Sequence, residues 1–431
     1  MQMVAKKKAW FGWCMYDWAN SSFATVIMAA VFPVYFAAII PAGGAHLSLF
    51  GLTHTLPAAA LWGYLVSASM LAVAFSAPYL GALADHRGGR HRFLVFFTTI
   101  GAAATGALAL AGPGDYLLAG ALFILANFCF ASGNVFYNAF LPALAGEAEI
   151  DRLSARGFAF GYLGGGLLLA VVFLLIQWPG AFGLAGAGAA TRLGLLLTGL
   201  WWGLFALPTF AWVREETLPQ PPGPMQTGLR GYLRTFAEIR GYRDLLLFLF
   251  AFLLYNDGIQ TVIIVSAIFA KEELGLSQGS ILGCFLMIQF VAMPGALLFG
   301  RLAGRIGAKR AVLFSLLLFT AVTVYAFFIR KEWEFWLLAF VVAIILGGSQ
   351  SISRSLYGTL IPPGKSAKFF GFYAVSSKFS SILGPFLFAL VTDLTRSARL
   401  SILAVSGFFL LGMALLSGVK VERGKLLARR S

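Results

Sequence analysis

The chain has 431 residues, of which 59% are hydrophobic and only 11% are charged, yet its formal net charge is +15. About a quarter of the residues in an ordinary globular protein are charged, so this composition excludes a water-soluble protein of this size. Nucleic-acid-binding proteins collect Lys and Arg on a soluble domain, and no segment here is long and polar enough to form one. The composition therefore excludes that class as well.

Twelve apolar segments follow one another along the chain. A helix needs about 20 mostly apolar residues to cross about 30 Å of hydrocarbon. Transmembrane β-strands are about ten residues long and alternate in polarity, a pattern that these segments lack. The sequence therefore predicts an all-α membrane protein with 12 transmembrane helices. The predicted spans are Phe11–Ile40, Leu61–Leu83, Phe93–Gly112, Tyr116–Ala145, Ala155–Trp178, Arg192–Val213, Asp244–Ala270, Ser280–Ala303, Ala311–Ile329, Trp333–Ile361, Phe369–Thr392 and Leu400–Val419.

Basic residues in the short loops set the orientation, because the loops richer in Lys and Arg face the cytoplasm. Twelve spans place both termini on one side. That side, here called the basic side, contains most of the 32 Lys and Arg, including Lys6–Lys8 and the tail from Lys420 to Arg430. We therefore expect cytoplasmic termini. We expect the net positive charge to lie on the cytoplasmic face, where it sets the orientation and contacts anionic lipid.

The second half of the chain repeats features of the first. The loop after the second span, GALADHRGGRHR, begins at Gly81, and the loop after the eighth, GRLAGRIGAKR, begins at Gly300. Gly88 recurs as Gly307 in the same register. A repeat of this kind predicts two pseudo-symmetric six-helix bundles.

A linker separates the two halves. Four prolines between Pro219 and Pro224 indicate an extended segment. The apolar and charged residues that follow form opposite faces, a pattern typical of a helix lying on the inner membrane face; a solvated linker helix is the alternative. The predicted division is an N-terminal six-helix bundle over 1–212, a cytoplasmic linker over 213–243 and a C-terminal six-helix bundle over 244–431.

Two six-helix halves related by a parallel repeat are the organisation of major facilitator transporters. The pattern from Gly81 to Arg90 resembles the signature loop of that superfamily, and the loop from Gly300 resembles its second copy, with Gly304 in place of Asp85. The resemblance implies a charge relay of Asp85 and nearby arginines at the cytoplasmic seam. The predicted gating residues are Gly81, Asp85, Gly88, Arg90, Arg92, Gly300, Gly307 and Arg310.

Four charged residues fall inside predicted spans: Asp17, Asp257, Arg354 and Lys378. A charge at the centre of a bilayer costs about 2.5–3.5 kcal/mol on the insertion scale, so each needs a partner or a water-filled cavity. Other polar residues follow at helical spacing in the first, fourth, seventh and tenth spans, which line the central cavity in the resembled fold. The candidate substrate- or ion-binding residues are Asp17, Asn20, Asn134, Asn138, Asp257, Gln260, Gln350, Arg354, Tyr357 and Lys378.

Each candidate also has a structural interpretation. Asp17 and Arg354 can form an ion pair that locks the two halves together, because buried pairs often serve specificity rather than ligand binding. The asparagines can form hydrogen bonds between helices. The sequence leaves these alternatives open.

Four motifs indicate a closer family. They are YDWANSSFAT in the first span, YNDGIQT in the seventh, GGSQSISRSLYGTLIP in the tenth and FFGFYAVSSKFSSILGP in the eleventh. Together they resemble the vacuole-effluxer-like branch of the superfamily, whose bacterial members are called unknown major facilitators. Eukaryotic relatives are associated with amino-acid efflux from the vacuole. The resemblance implies a bacterial inner-membrane protein.

We therefore predict a secondary transporter that exports a small polar or zwitterionic solute, with amino acids as the first candidate. It works by rocking of the two halves, with proton coupling through a buried carboxylate as an option. Export of an amphipathic or lipid-like compound is the alternative, suggested by Trp201, Trp202 and Met287. A membrane receptor or scaffold is an alternative of another class. We expect a monomer without enzymatic activity, cofactor, metal or nucleic-acid partner.

Overall fold

A computed structural model describes residues 2–49, 52–215, 237–380 and 383–430. Up to residue 215, the described chain is helical apart from one hairpin. Its elements are α1 (Gln2–Ser22), α2 (Phe32–Ile39), β1 (Ala45–Leu49), β2 (Leu52–Leu56), α3 (Ala58–Arg87), α4 (Arg90–Ala107), α5 (Tyr116–Ala139), α6 (Leu141–Leu144), α7 (Ile150–Gln177), α8 (Ala187–Phe205) and α9 (Leu207–Trp212).

The rest of the described chain is helical throughout, with short connections. Its elements are α10 (Arg243–Leu274), α11 (Gln278–Ile306), α12 (Ala308–Ala326), α13 (Glu332–Thr359), α14 (Ser366–Phe379), α15 (Leu383–Thr395), α16 (Ala398–Gly418) and α17 (Val421–Arg430). The predicted interfacial helix of the linker falls mainly on residues 216–236, which lie outside the described residues.

The described residues contain ten helices that are long and apolar enough to cross a membrane. They correspond to ten of the predicted spans, and the bent pair Val4–Ala30 and Phe32–Ile39 raises the number to 11 if it is counted as one span. The predicted eleventh span corresponds to α14 and α15, on either side of residues 381–382, which the structure does not describe. The predicted all-α membrane fold is confirmed.

The first span differs from the straight helix that the sequence predicts. After α1 the chain continues as a π-helical segment, Phe23–Ala30, and then bends by 48° before α2. Pro33 lies in the first turn of α2. Because proline has no N–H, it cannot continue the hydrogen-bond ladder of the preceding helix, which accounts for a bend at this point.

A β-hairpin between α2 and α3 was not predicted. Its two antiparallel strands pair from Ala45 with Leu56 to Leu49 with Leu52. The backbone N–H of His46 donates to the Tyr116 hydroxyl, which in turn donates to the His46 carbonyl, both at 3.0 Å. The hairpin is therefore fixed to the start of α5.

The described chain forms two compact units that do not follow the two sequence halves. Unit 1 comprises Met1–Ser76, Gly89–Tyr137 and Leu163–Glu215, and unit 2 comprises Ala77–Gly88, Asn138–Tyr162 and Glu216–Ser431. Two short segments of the first half thus belong to the same unit as the whole second half. Both segments flank loops of the predicted basic side.

Small residues let helices pack closely in each unit. In unit 1, a Cβ on Gly199 of α8 would lie 2.4 Å from the backbone nitrogen of Gly106 on α4. In unit 2, a Cβ on Gly295 of α11 would lie 2.4 Å from the Ile344 carbonyl oxygen on α13. Lipid tails are as apolar as the side chains, so the hydrophobic effect does not drive helices together within a membrane. Close packing of the kind that small residues allow drives their association instead.

We expect Gly199→Ala to lower the free energy of unfolding by about 1–3 kcal/mol, the usual cost of overpacking. The new methyl group would meet the backbone of α4, which cannot move aside as a side chain does. Gly203→Ala on the same helix is the matched control, because its Cβ would lie 3.6 Å from Ala102, an ordinary contact. Thermal unfolding in detergent compares the variants, and equal stabilities would contradict the prediction.

Candidate functional site

Asp17 lies in a buried aromatic cluster of unit 1. The Tyr137 hydroxyl donates to its Oδ2 at 2.7 Å. The ring of Tyr137 stacks on Trp13 and Tyr16, with centroids 4.5 and 4.6 Å apart, and Trp13 Nε1 donates to the Tyr137 carbonyl at 3.0 Å. The packing of Tyr137 between two aromatic rings therefore fixes its hydroxyl against the carboxylate.

Asn20 and Asn134 are hydrogen-bonded to each other. Asn20 lies almost one turn after Asp17 on α1, and its Nδ2 donates to Asn134 Oδ1 at 2.9 Å. Asn134 Nδ2 donates to the Phe130 carbonyl of its own helix, α5. This arrangement matches the interhelical interpretation of the asparagines, and a ligand role for them stays a prediction.

Arg354 lies on α13 in unit 2, and α7 supplies most of its described partners. Its Nε donates to Ser154 Oγ and its Nη2 to the Ser154 carbonyl, both at 2.9 Å. Nη1 donates to Asn138 Oδ1 at 3.4 Å, and the guanidinium carbon lies 4.2 Å from the centroid of the Phe158 ring. These contacts fasten a second-half helix to two first-half segments. The predicted pairing of Arg354 with Asp17 joins residues of different units and stays a prediction.

Two further candidates on α13 have well-defined partners. Gln350 Oε1 accepts a hydrogen bond from the Tyr162 hydroxyl at 3.1 Å. Tyr357 is fully buried, and its hydroxyl donates to the Phe369 carbonyl at 2.6 Å while its ring stacks on Tyr373. Gln350 and Arg354 thus share one face of α13, and the contacts of Tyr357 are those of a packing residue.

Asp257 is fully buried in α10 and is only half satisfied. Its Oδ1 accepts from the backbone N–H of Gly384, in the first turn of α15, at 2.9 Å. Its Oδ2 is buried and has no hydrogen-bond partner among the described residues. The Thr261 hydroxyl donates to the Asp257 carbonyl at 2.6 Å. A buried, incompletely bonded carboxylate is costly as an anion, so a proton or a cation at Oδ2 would stabilise Asp257.

Three further polar residues belong to α10 and α14 of unit 2. Asn256 Nδ2 donates to Ser380 Oγ, so α10 is hydrogen-bonded to the residue that follows α14 as well as to α15. Gln260 lies one turn further along α10 and is partly exposed. Lys378 belongs to α14, and its side chain lies outside what the structure describes.

Asp85 connects the end of α3 to the beginning of α14. Its two carboxylate oxygens accept from the backbone N–H groups of Ala367 and Lys368, at 3.1 and 2.7 Å. A carboxylate is favourable here because the first N–H groups of a helix have no partner within it and carry partial positive charge. A Cβ on Gly81 would lie 2.3 Å from the Ala367 carbonyl, so this glycine lets the two segments meet.

The second copy of the loop makes a related contact. A Cβ on Gly300 of α11 would lie 2.5 Å from the Ala155 Cβ on α7. The second span thus touches the eleventh, and the eighth touches the fifth. Lys309 Nζ donates to the carbonyls of Ser417 and Val419 at the end of α16.

Arg90, the counterpart of Lys309, belongs to unit 1. Its Nε lies 3.9 Å from Glu215 Oε1, just beyond the end of the sixth span, and the Gly89 N–H donates to Glu215 Oε2 at 2.9 Å. Each copy of the loop therefore places a cation near the last helix of its own half. The remaining gating residues have simpler positions: Gly88 and Gly307 have positive φ angles of 70° and 90°, and Arg92 and Arg310 are exposed.

Glu238 follows the undescribed part of the linker and binds the loop before α14. Both Lys365 and Lys368 donate from Nζ to its carboxylate. Burial raises the pKa of Glu238, but the two lysine hydrogen bonds outweigh burial and bring the pKa below its usual value. The start of α14 is therefore held by Asp85 on its backbone and by Glu238 on its side chains.

Sequence reasoning missed several of these partners, including Ser154, Glu215, Glu238, Gly384 and Glu147, which pairs with Lys425 and Arg429. Glu215 and Glu238 share one signal, because each is a carboxylate in an otherwise basic linker, whereas Glu147 lies near two further acids, Glu149 and Asp151. Ser154 and Gly384 give no such signal, since serine and glycine are common in membrane helices.

A bundle of membrane-spanning helices with duplicated glycine loops and intramembrane charges defines a transporter of the major facilitator type. Two solved transporters share the fold. The human organic anion transporter MFSD10 (TETRAN) has a TM-score of 0.69 and 17% identity, over 96% of this chain and 98% of that chain. The E. coli fucose:proton symporter FucP has a TM-score of 0.71 and 13% identity, over 97% and 98%.

The family model described as "Vacuole effluxer Atg22 like" matches residues 5–429, and the chain belongs to this family. The MFS-type transporter YxiO of Bacillus subtilis is 32% identical, over 95% of this chain and 94% of YxiO. Autophagy-related protein 22-1 of Aspergillus niger is 28% identical, over 84% and 73%. YxiO and the solved neighbours are transporters, which confirms the prediction that the chain is not an enzyme.

We expect Asp85→Asn to lower the free energy of unfolding by about 1–3 kcal/mol, the cost of a buried donor that loses its acceptor. The amide retains one acceptor oxygen for two N–H groups and loses the charge that favours a helix N-terminus. Gly304→Ala, at the matching position of the second copy, is the control because a Cβ there would meet nothing within 4 Å. Identical thermal unfolding of the two variants would refute this role of Asp85.

Proposed function

We propose that the protein is a secondary transporter that exports a small polar or zwitterionic solute, with amino acids as the first candidate. In this proposal the two sequence halves, residues 1–212 and 244–431, rock against each other. Both termini lie in the cytoplasm of a bacterial cell, where the basic loops meet the anionic inner leaflet. The proposal requires recognition of two opposite charges on the substrate and a gate on each side of the membrane.

The observation that carries this proposal is the half-satisfied carboxylate of Asp257. Its Oδ2 is buried without a hydrogen-bond donor in the described part of the chain. Any group that brings a proton or a positive charge to this oxygen stabilises the buried carboxylate. The ammonium group of a zwitterion and a coupling proton are the two species that fit. Both alternate between bound and released states during a transport cycle.

Arg354 supplies the opposite charge. Its guanidinium group is a planar fork that suits a carboxylate. In the described state Ser154 and Asn138, both neutral, accept three of its hydrogen bonds. Exchange of these neutral partners for a substrate carboxylate requires movement of α7 relative to α13. Substrate binding at Arg354 would then be coupled to opening.

We expect the purified protein in liposomes to move labelled zwitterionic amino acids when a pH gradient is imposed. Asp257→Asn removes the group that binds and releases the proton. We expect this variant to lose accumulation of solute driven by the pH gradient. If Asp257 serves only in coupling, exchange of solute in the absence of a gradient should remain intact. The measurement is the uptake of labelled solute in both assays.

Asp393→Asn is the matched control, since the Asp393 side chain is 75% exposed and pairs only locally with Arg396 among the described contacts. It should transport as the unchanged protein does. If no amino acid moves, or if Asp257→Asn equals the unchanged protein in both assays, the substrate and coupling parts of the proposal fail.

The alternative substrate class is an amphipathic compound, and the packing of the tryptophans argues against it. Trp202 is fully buried against Phe23 and Phe130, and Trp201 stacks on Trp18, so both rings serve the packing of unit 1. We therefore expect amino acids, and not amphiphiles, to raise the unfolding temperature of the protein. Stabilisation by amphiphiles alone would favour the alternative.

A further inference from the structure

The last described helix, α17, is amphipathic and lies across unit 2 on the basic side. Its polar face carries Arg423, Lys425 and Arg429. These three cations reach two acids far apart in sequence: Asp244, at the start of α10, and Glu147, between α6 and α7. One helix therefore connects the second half of the chain to a loop of the first.

The end of α17 next to Asp244 is firmly anchored. The Asp244 carboxylate is 1% exposed and accepts from Arg423 Nε at 2.6 Å, from Arg423 Nη2 at 2.8 Å and from the Lys420 N–H at 2.9 Å. A Cβ on Gly424 would lie 2.7 Å from Leu360, so the helix backbone sits directly on the end of α13. Buried charges with several donors are hard to separate.

The end of α17 next to Glu147 is built differently. Glu147 accepts from Lys425 and, at 2.5 Å, from Arg429 Nη2. The Glu147 and Arg429 side chains are 41% and 66% exposed, whereas Lys425 is 17% exposed, so water can replace the contact with Arg429 at little cost. Hydrogen bonding to Lys425 lowers the pKa of Glu147, and burial offsets only part of that effect. Glu147 is thus charged near neutral pH, and the contact is electrostatic.

We propose that α17 is a latch on the basic side of the transporter, fixed to Asp244 and released from Glu147 each time that side opens. The inference rests on the proposed rocking of the two halves. Asp244 and α17 belong to the same sequence half and move together, whereas Glu147 belongs to the other half and moves away. The exposure of the two carboxylates matches this division, because Glu147 is 41% exposed and Asp244 is 1% exposed.

The latch adds to a seam that already has other contacts across the halves. Asp85 binds the first turn of α14, and Ser154 binds Arg354. Those contacts lie among packed helices, whereas α17 is a separate short helix that follows the last span. Release of Glu147 would then be an early and reversible step of opening.

Paired cysteines test the latch. In a chain whose Cys14, Cys129 and Cys284 are replaced by Ala, Glu147→Cys with Arg429→Cys is bridged by a short bis-methanethiosulfonate that reducing agent cleaves. We expect the bridge to stop transport and its reduction to restore transport. Asp393→Cys with Arg396→Cys is the matched control, because these exposed residues pair within one segment, and its bridge should leave transport unchanged. Transport that continues with Glu147 bridged to Arg429 would overturn the proposal.

A second measurement does not depend on transport. We expect Glu147→Gln to speed hydrogen exchange of the amides of α17 and of residues 150–156 in lipid nanodiscs. Glu422→Gln is the control, because Glu422 also pairs with Lys425 but is 82% exposed and lies on α17 itself. Faster exchange in Glu147→Gln alone would support the latch even if no amino acid were transported. Equal exchange in the two variants would overturn it.

Discussion

Hydrocarbon offers no hydrogen bonds, so every polar group that this chain buries in a span must find its partner inside the protein. The backbone meets this constraint by forming helices. The side chains meet it in pairs, as Tyr137 does for Asp17 and Ser154 for Arg354. A few buried polar atoms of the described residues have no hydrogen-bond partner, and Asp257 Oδ2 is the carboxylate oxygen among them, while Oδ1 accepts from the Gly384 N–H. Because a carboxylate can carry charge, this is the atom at which the proposed function places a ligand or a proton.

The same constraint explains the signature loops. Their glycines let the second span approach the eleventh and the eighth approach the fifth, because a side chain at Gly81 or Gly300 would collide with the neighbour. Asp85 then satisfies two backbone N–H groups at the start of α14. The second copy lacks this acid, and its described contact with the fifth span is the close packing at Gly300. The duplicated glycines therefore give both loops a close contact between helices, but only the first loop adds a carboxylate to it.

Much of this architecture could be predicted from the sequence, because length and apolarity identify spans and repetition identifies equivalent loops. The acceptor role of Asp85 at a helix N-terminus, the bend at Pro33 and the hairpin at His46 could not be predicted. These features depend on which helix ends meet and on local backbone geometry. Periodicity shows that a helix has a polar face but does not identify the neighbouring helix that this face contacts. The contact of Ser154 with Arg354 therefore required the structure.

The basic excess, from which the sequence predicts the orientation, also explains why the few acids of the basic side matter. Where cations outnumber acids, each carboxylate can engage several donors at once. Asp85, Glu147, Glu238 and Asp244 each accept from two or more groups. Acids are thus fewer than their donors, and in the proposed opening of this side each acid must either detach from its donors or move together with them. Burial decides between the two: an exposed acid such as Glu147 can be hydrated when it detaches, whereas a buried acid such as Asp244 must move together with its donors.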